Sequence, residues 1–322
     1  MAEATRVAFG RALARLGEDP RIVVLDADLA SSTNTKAFAD RFPDRFFQVG
    51  IAEGNMVGMA AGLALAGKIP IASSFACFLA GRFEQIRVSV AYNRANVKLV
   101  GTHSGVGIGE DGYSQMGLED IALMRTLPNF VVVQPADGAE TEAAVEYLLG
   151  HDGPAYLRLT RQKVDDVTPK GQRFELGSAV VLRDGRDLTL VATGGVVAHA
   201  LAAAAELSRG GIEAAVLNVH TLKPIDAATL TDFGARTGGI LTVEDHGVVG
   251  GLGGAVSEAL AESGIPIRIH AVHGFGESGT GDALYAKHGL DPAGIATAAR
   301  RFLDDRSRGG AARRTVAAAH SR

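Results

Sequence analysis

Apolar positions along the chain gather into short runs, and stretches of mixed pattern separate them from end to end. Ile22-Val23-Val24-Leu25, Phe46-Phe47-Gln48-Val49, Ile69-Pro70-Ile71-Ala72, Val97-Lys98-Leu99-Val100, Phe130-Val131-Val132-Val133 and Ala155-Tyr156-Leu157-Arg158-Leu159 predict buried strands. Between them, residues 3–17, 80–93, 118–126 and 138–149 predict helices. Val7, Leu13 and Leu16 mark the apolar side of the first, and Phe83, Ile86 and Val90 that of the second. The last carries a capping pattern, with Asp137 as N-cap and Glu140 three residues on.

The pattern loses its period after Leu159, in Arg161-Gln162-Lys163, Asp165-Asp166 and Pro169-Lys170-Gly171, and then restarts. Strands are predicted at 188–193, 214–219, 240–244 and 266–272, and helices at 196–209, 226–235 and 252–263. Alternation of this kind predicts parallel sheets covered on both faces. The expected fold is two parallel-sheet α/β domains, residues 1–165 and a smaller 177–303, joined by a linker at 166–176. From Asp304 the chain lacks periodic hydrophobics, so 304–322 is expected to be a disordered tail.

Composition narrows the function classes. The 322 residues are 47% hydrophobic and 21% charged, enough to bury real cores. The net charge of −4 gives no electrostatic case for nucleic acid. No apolar run reaches the roughly 20 residues that span a bilayer, and the N-terminus lacks a signal-peptide core. A single cysteine, Cys77, excludes an internal disulfide, fits a reducing compartment and reads as a small buried filler. A cytoplasmic protein is expected.

Gly50-Ile51-Ala52-Glu53-Gly54-Asn55-Met56 follows a predicted strand and opens a run of small and apolar residues. Gly54, Gly58 and Gly62 stand four apart, on one face of a helix. Each interior glycine costs a helix roughly 1 kcal/mol against alanine, so another backbone is expected to come close. Two readings stand side by side. One is tight internal packing around an acid that merely starts a helix. The other is a helix at a subunit contact, with Glu53 held in a dry place for acid–base work.

Gly107-Ile108-Gly109-Glu110-Asp111-Gly112 has the spacing of a dinucleotide fingerprint. It is not read as one, because two carboxylates would face the pyrophosphate and no helix opens there. These glycines are expected either to let backbone approach a ligand, with Asp111 and His103 aimed at polar groups, or to form a solvated turn. Phe75 and Phe78 flank a strand end in a chain with 6% aromatics, as core or as a flat wall for a heteroaromatic ring. Arg6, Arg158, Arg161 and His103 lie near element ends where a cation can meet a phosphate. Gly250-Gly251-Leu252-Gly253-Gly254 reads as a close strand–helix turn. His270 and His273 point to opposite faces of a strand, and no spacing suggests a metal site built by this chain alone.

Together these segments resemble the thiamine-diphosphate-dependent transketolases. The resemblance runs from residue 1 to about 303. It rests on Asp28-Leu29-Ala30-Ser31-Ser32, on Gly50 through Met56, on Thr102-His103 through Gly112, and on Arg161-Gln162. It implies a pyrimidine-binding domain followed by the family's C-terminal domain. Glu53 then corresponds to the acid that hydrogen-bonds the aminopyrimidine ring and drives its imino tautomer, which takes the thiazolium C2 proton. Phe75 and Phe78 correspond to aromatics packed on that ring, and Asp28 to an acid lining the cofactor pocket. His103 and Asp111 correspond to contacts with the sugar hydroxyls or phosphate. Arg6, Ser32 and Arg161 correspond to the group that binds the acceptor's phosphate.

Three differences from the family pattern stand out. Tyr113-Ser114-Gln115 occupies the place of a usual histidine, and Gln115 can hydrogen-bond but cannot titrate. Small residues near Gly81 replace a third aromatic after Phe78. The sequence also has no Gly-Asp-Gly followed by the asparagine that holds a divalent metal in full-length relatives. The resemblance therefore implies the C-terminal subunit of a split transketolase, with the diphosphate and Mg2+ held by a separate N-terminal subunit in an A2B2 assembly. The expected reaction is transfer of a two-carbon ketol unit from a ketose to an aldose, usually phosphorylated. A 1-deoxyxylulose-5-phosphate synthase-like subunit, a 2-oxo acid dehydrogenase beta-like subunit and a non-catalytic regulatory subunit are the alternatives.

Overall fold

The computed structural model describes residues 2–320, and of 309–320 the backbone only. The strands in chain order are β1 (Glu3–Ala4), β2 (Ile22–Asp26), β3 (Phe46–Gln48), β4 (Ile69–Phe75), β5 (Lys98–Thr102), β6 (Val131–Val133) and β7 (Ala155–Arg158). They continue as β8 (Lys163–Val164), β9 (Val180–Arg183), β10 (Leu188–Ala192), β11 (Ala214–Asn218), β12 (Thr221–Lys223), β13 (Ile240–Gly247) and β14 (Ile267–Val272).

A seven-stranded sheet has the order β12-β6-β7-β5-β4-β2-β3, and a five-stranded sheet the order β14-β13-β10-β11-β9. Every pair within β2–β7 is parallel, as are β10–β11, β10–β13 and β13–β14. The α/β architecture with mostly parallel sheets agrees with the sequence reading. Two antiparallel edges were not anticipated. β9 closes one side of the second sheet, and β12, which lies in the sequence of the second domain, adds to the first sheet beside β6. Each is three or four residues long, too short to show a period.

β12 stitches the two sheets together, and one apolar cluster runs through both. Val23, Leu25, Met56, Leu99 and Val132 share it with Val191, Leu217, Val219, Leu222 and Leu230. Burial of continuous apolar strands on both faces is what the parallel geometry requires.

Two helical stretches differ from expectation. The region 80–93 is a helix Phe83–Gln85 that widens into a π-turn over Ile86–Ala91, burying Ile86 and Val90. At the other end, the helix Pro292–His320 runs into the stretch expected to be a disordered tail. Residues 304–308 are helical because their polar side chains have partners. Arg306 donates to the carbonyls of Asp187 and Thr237, and Asp305 pairs with Arg268 at 2.9 Å. Of the rest of that expected tail, residues 321 and 322 lie outside the described residues.

Candidate active site

The carboxyl ends of parallel strands share one edge of a sheet, and loops leaving them converge there. In the first sheet β2, β4, β5 and β7 are neighbours, so Asp26–Asp28, Phe75, Thr102–His103 and Arg158–Arg161 emerge side by side. Arg6 comes from the first turn of the helix Thr5–Leu16. β1 pairs with β8 just before that turn, and the Thr160 backbone N–H donates to Thr5 Oγ1 at 2.7 Å. Two residues distant in sequence, Arg6 and Arg161, are thereby brought close enough to repel each other electrostatically.

Glu53 is the first residue of the helix Glu53–Leu65, entered through Gly50 at φ +71°. Its side chain is buried, and the Ser74 hydroxyl donates to Oε1 at 3.1 Å. Among the described residues Oε2 has no hydrogen-bond partner. The glycine face of this helix is not packed inside the chain. A Cβ on Gly54 would meet nothing nearer than Arg82 Cδ at 3.8 Å, and one on Gly62 would meet nothing within 4 Å. The internal-packing reading of these glycines is therefore overturned. Ile51 (85%), Leu65 and Tyr92 (86%) are exposed apolar residues.

Phe75, at the end of β4, stacks on His103 with ring centroids 3.7 Å apart and on Phe78 at 5.3 Å. Phe75 is buried and Phe78 half-buried, so the pair is both core and wall. His103 is buried at φ +56°, a strained conformation for a residue with a Cβ. Burial, with the nearby charges of Arg6 and Arg161, pushes its pKa down to about 3, so the imidazole is neutral at neutral pH. The Thr102 hydroxyl donates to the Ser74 carbonyl at 3.4 Å and lies 2.9 Å from His103 Nδ1. The tautomer decides which of the two donates, and in either case the contact occupies Nδ1 and leaves Nε2 for another partner.

Arg6 Nη1 donates to the Ser32 carbonyl, so Ser32 takes part through its backbone. Arg6 Nε is buried without a partner, and burial and Arg161 lower the pKa of the guanidinium. Arg161 donates to the Ile108 carbonyl at 2.9 Å and lies 3.5 Å from Glu110. Asp111 is exposed and near enough to Arg6 to raise its pKa. Glu53, Phe75, Phe78 and His103 are thus linked through Ser74 and ring stacking. Arg6, Ser32, Asp111 and Arg161 are linked through hydrogen bonding and charge, and His103 feels the charges of Arg6 and Arg161. Asp28 is exposed at the end of β2 and its backbone N–H donates to Gln48 Oε1 at 2.5 Å. Gln115 sits half-buried on a turn and makes no side-chain hydrogen bond to any of these residues.

Two expectations need correction. Arg158 is not available to a phosphate. It is fully buried against Asp120 at 2.7 Å, and the Tyr156 hydroxyl donates to the same carboxylate. Burial would raise the Asp120 pKa, but the Arg158 charge holds it below the usual range. The loop glycines do not clear space for a ligand. A Cβ on Gly105 would overlap the Asp245 carboxylate, and one on Gly107 the Tyr285 hydroxyl and Gln162 amide. What fills the space is the second domain. Cys77 is half-buried, and its thiol is pushed up to about 12 by burial and by Glu119 and Asp120, which leaves it inert.

Sequence reasoning gave no role to Asp26, Gln162, Asp245 and Tyr285. Asp26 is fully buried and accepts from Leu29 N–H at 2.6 Å, Thr33 Oγ1 at 2.7 Å and Thr35 Oγ1 at 2.9 Å, fixing the loop that carries Asp28 and Ser32. Thr33 and Thr35 were the available signal for that role. Asp245 and Tyr285 gave none, being more than a hundred residues from the loop they hold.

The residues present fit one half of a thiamine cofactor. A buried carboxylate with one free oxygen beside stacked aromatics suits an aminopyrimidine ring. Among the described residues no group of three or more His, Cys, Asp or Glu is placed to hold a metal ion, and no helix is long and apolar enough to cross a membrane.

Comparison with known proteins completes the picture. The family model for the transketolase pyrimidine binding domain matches residues 2–166, and that for the transketolase C-terminal domain matches 177–295. A putative transketolase C-terminal section of Methanocaldococcus jannaschii is 45% identical over 310 residues, covering 93% of this chain and 95% of its own. A 6-deoxy-6-sulfo-D-fructose transketolase subunit of Clostridium sp. (strain MSTE9) is 43% identical over 290 residues, covering 89% of this chain and 90% of its own. A solved structure described as a split gene transketolase, inactive beta4 tetramer, superposes with a TM-score of 0.87 at 47% identity over 94% of this chain and 98% of its own.

Proposed function

The chain belongs to the transketolase family, and on that premise we propose that it is one subunit of a split, thiamine-diphosphate-dependent transketolase. It transfers a two-carbon ketol unit from a ketose to an aldose, usually phosphorylated, and works in the cytoplasm. Residues 1–165 take the pyrimidine half of the cofactor and 177–303 form the C-terminal domain. A separate subunit holds the diphosphate and Mg2+, in an A2B2 assembly consistent with closed two-fold symmetry. The observation that carries this reading is Glu53, buried with one oxygen bonded to Ser74 and the other unpaired. The open glycine face and exposed Ile51 and Tyr92 support a subunit seated over it. The description of the similar split-gene structure as an inactive tetramer agrees with a chain that needs a different partner for activity.

When bound, the cofactor supplies a nucleophilic carbon that carries the ketol unit. Glu53, buried and held at one oxygen by Ser74, would hydrogen-bond the pyrimidine nitrogen through the other. Phe75 and Phe78 fix the ring's plane, and Asp28 lines the pocket at its open end. His103, neutral, hydrogen-bonds a sugar hydroxyl at Nε2, and Asp111 and Gln115 contact further polar groups of the sugar. Arg6 and Arg161, with the Ser32 backbone beside them, face the anionic end of the sugar. An anion there relieves their mutual repulsion and gives the buried Arg6 Nε a partner.

That anion is a phosphate or a sulfonate, and the two are told apart by assaying sugars of each kind. Glu53→Gln in the reconstituted enzyme is expected to lower kcat by at least about a hundredfold, the usual scale for a lost proton-transfer group. Unchanged turnover would mean a subunit without a catalytic role. Turnover of pyruvate in place of a ketose would mean a decarboxylating synthase.

A further inference from the structure

The second domain, which fills the space beside the loop glycines, reaches into the site. Asp245, in the carboxyl-terminal half of β13, is buried and accepts the backbone N–H of Val106 at 2.7 Å and of Gly107 at 3.2 Å. The Tyr285 hydroxyl, from the helix Gly281–His288, donates to the same carboxylate at 2.9 Å and accepts from Gln162 Nε2 at 2.5 Å. Gly105 and Gly107 lack side chains because these two groups occupy the space. The next carbonyl along the loop, that of Ile108, receives Arg161 Nη1 at 2.9 Å. Arg161 is therefore held from two sides. The loop gripped by Asp245 gives it a carbonyl, and its neighbour Gln162 is tied to Tyr285.

We propose that Asp245, with Tyr285, is a positioning residue of the second domain that sets loop 105–109 and through it the Arg161 guanidinium that receives the sugar's anionic group. This rests on the functional reading above. Three geometric facts carry it. The carboxylate is buried, three donors converge on it, and the loop's next carbonyl accepts from Arg161. A carboxylate accepting backbone N–H groups makes the stronger, charge-assisted kind of hydrogen bond, which suits a fixed register better than a neutral contact. Because a guanidinium recognises an anion by direction as well as charge, moving the Ile108 carbonyl moves the donor fork.

The test uses the complex of this chain with its diphosphate-binding partner and the variants Asp245→Asn and Tyr285→Phe. Asp245→Asn keeps the shape but turns an amide N–H2 toward backbone donors. The expected result is a rise of about tenfold in KM for ribose 5-phosphate, with kcat little changed and KM for glycolaldehyde, which has no anionic group, unmoved. Tyr285→Phe is expected to show the same selective rise, but smaller. On this chain alone, amide exchange at Val106 and Gly107 should quicken by about tenfold in Asp245→Asn, since one protecting acceptor is lost. Equal losses on the charged and uncharged acceptor, or unchanged exchange, would overturn the proposal. If Asp245→Asn does not fold, Tyr285→Phe decides alone by the same acceptor comparison. If the wild-type complex turns over neither acceptor, the functional reading fails, while amide exchange still judges the positioning of the loop.

Discussion

Two glycine-rich regions of this protein look alike in sequence and are opposite in space. In the helix Glu53–Leu65 the glycines have room beside them: Gly54 and Gly58 are half-buried near Arg82 and Gln85, and a Cβ on the exposed Gly62 would meet nothing within 4 Å. In the loop after β5 the glycines are already filled, by Asp245, Tyr285 and Gln162 from elsewhere in the chain. At Gly62 the space beside the glycine is open, and beside Gly105 and Gly107 it is taken by Asp245, Tyr285 and Gln162. A glycine therefore reports that space is needed, and only the fold says whether the occupant is part of the same chain.

Substitution with alanine separates the two cases, and the loop should give the largest effect. Gly105→Ala places a methyl on the Asp245 carboxylate at φ +78°, where a side chain is strained as well as crowded. A loss of about 3 kcal/mol in urea unfolding of the isolated chain is expected, from overpacking plus the backbone conformation. A loss below about 1 kcal/mol would show that the loop is free to move off the second domain.

Acid stability sharpens the contrast next, because the inter-domain seam buries histidines and the helix face does not. Burial pushes His220 and His246 down to about 4, both below an unperturbed value of about 6.5. The unfolded chain then binds more protons than the folded one between those values, so stability falls as pH drops from about 6.5 toward 4. Each histidine contributes a loss of about 2 kcal/mol by pH 5. Glu140 and Glu244, pushed up to about 7 by burial, act in the opposite sense over the same range. The test is therefore a difference: in thermal unfolding His220→Gln should lose about 2 kcal/mol less than the unsubstituted chain between pH 7 and 5. An unchanged slope in that variant would place the acid sensitivity elsewhere.

The smallest effect on the chain itself belongs to the helix Glu53–Leu65. Gly62→Ala should raise the stability of the isolated chain by up to about 1 kcal/mol, because helix propensity improves and nothing is displaced. The bulkier Gly62→Leu should leave folding intact and weaken association with the partner subunit, read by analytical ultracentrifugation. Undiminished association would remove this face from the interface.

Much of the fold was legible because buried parallel strands are continuously apolar and their helices amphipathic. The exceptions share a cause. β9 and β12 are short edge strands recruited by neighbours, and the helix through residues 304–308 persists by polar contacts with Asp187, Thr237 and Arg268, which leave no hydrophobic period. For the site, Phe75 and His103 were each read at element ends, though not as partners, and sequence motifs pointed to Glu53. Strand ends alone did not separate Arg161, which stays near the surface, from Arg158, which is consumed by Asp120, whereas the family resemblance took only Arg161. The roles of Asp245 and Tyr285 were illegible because they act across contacts of 138–139 and 123 residues in sequence.

The most direct test of the account is calorimetric binding of thiamine diphosphate with Mg2+, on this chain alone and then mixed with a diphosphate-binding transketolase subunit. The account predicts binding only in the mixture, because this chain offers Glu53 and an aromatic wall but no cluster of metal ligands among its described residues. Tight binding to the chain alone would contradict it, since the diphosphate and metal would then be held by residues assigned here to other work.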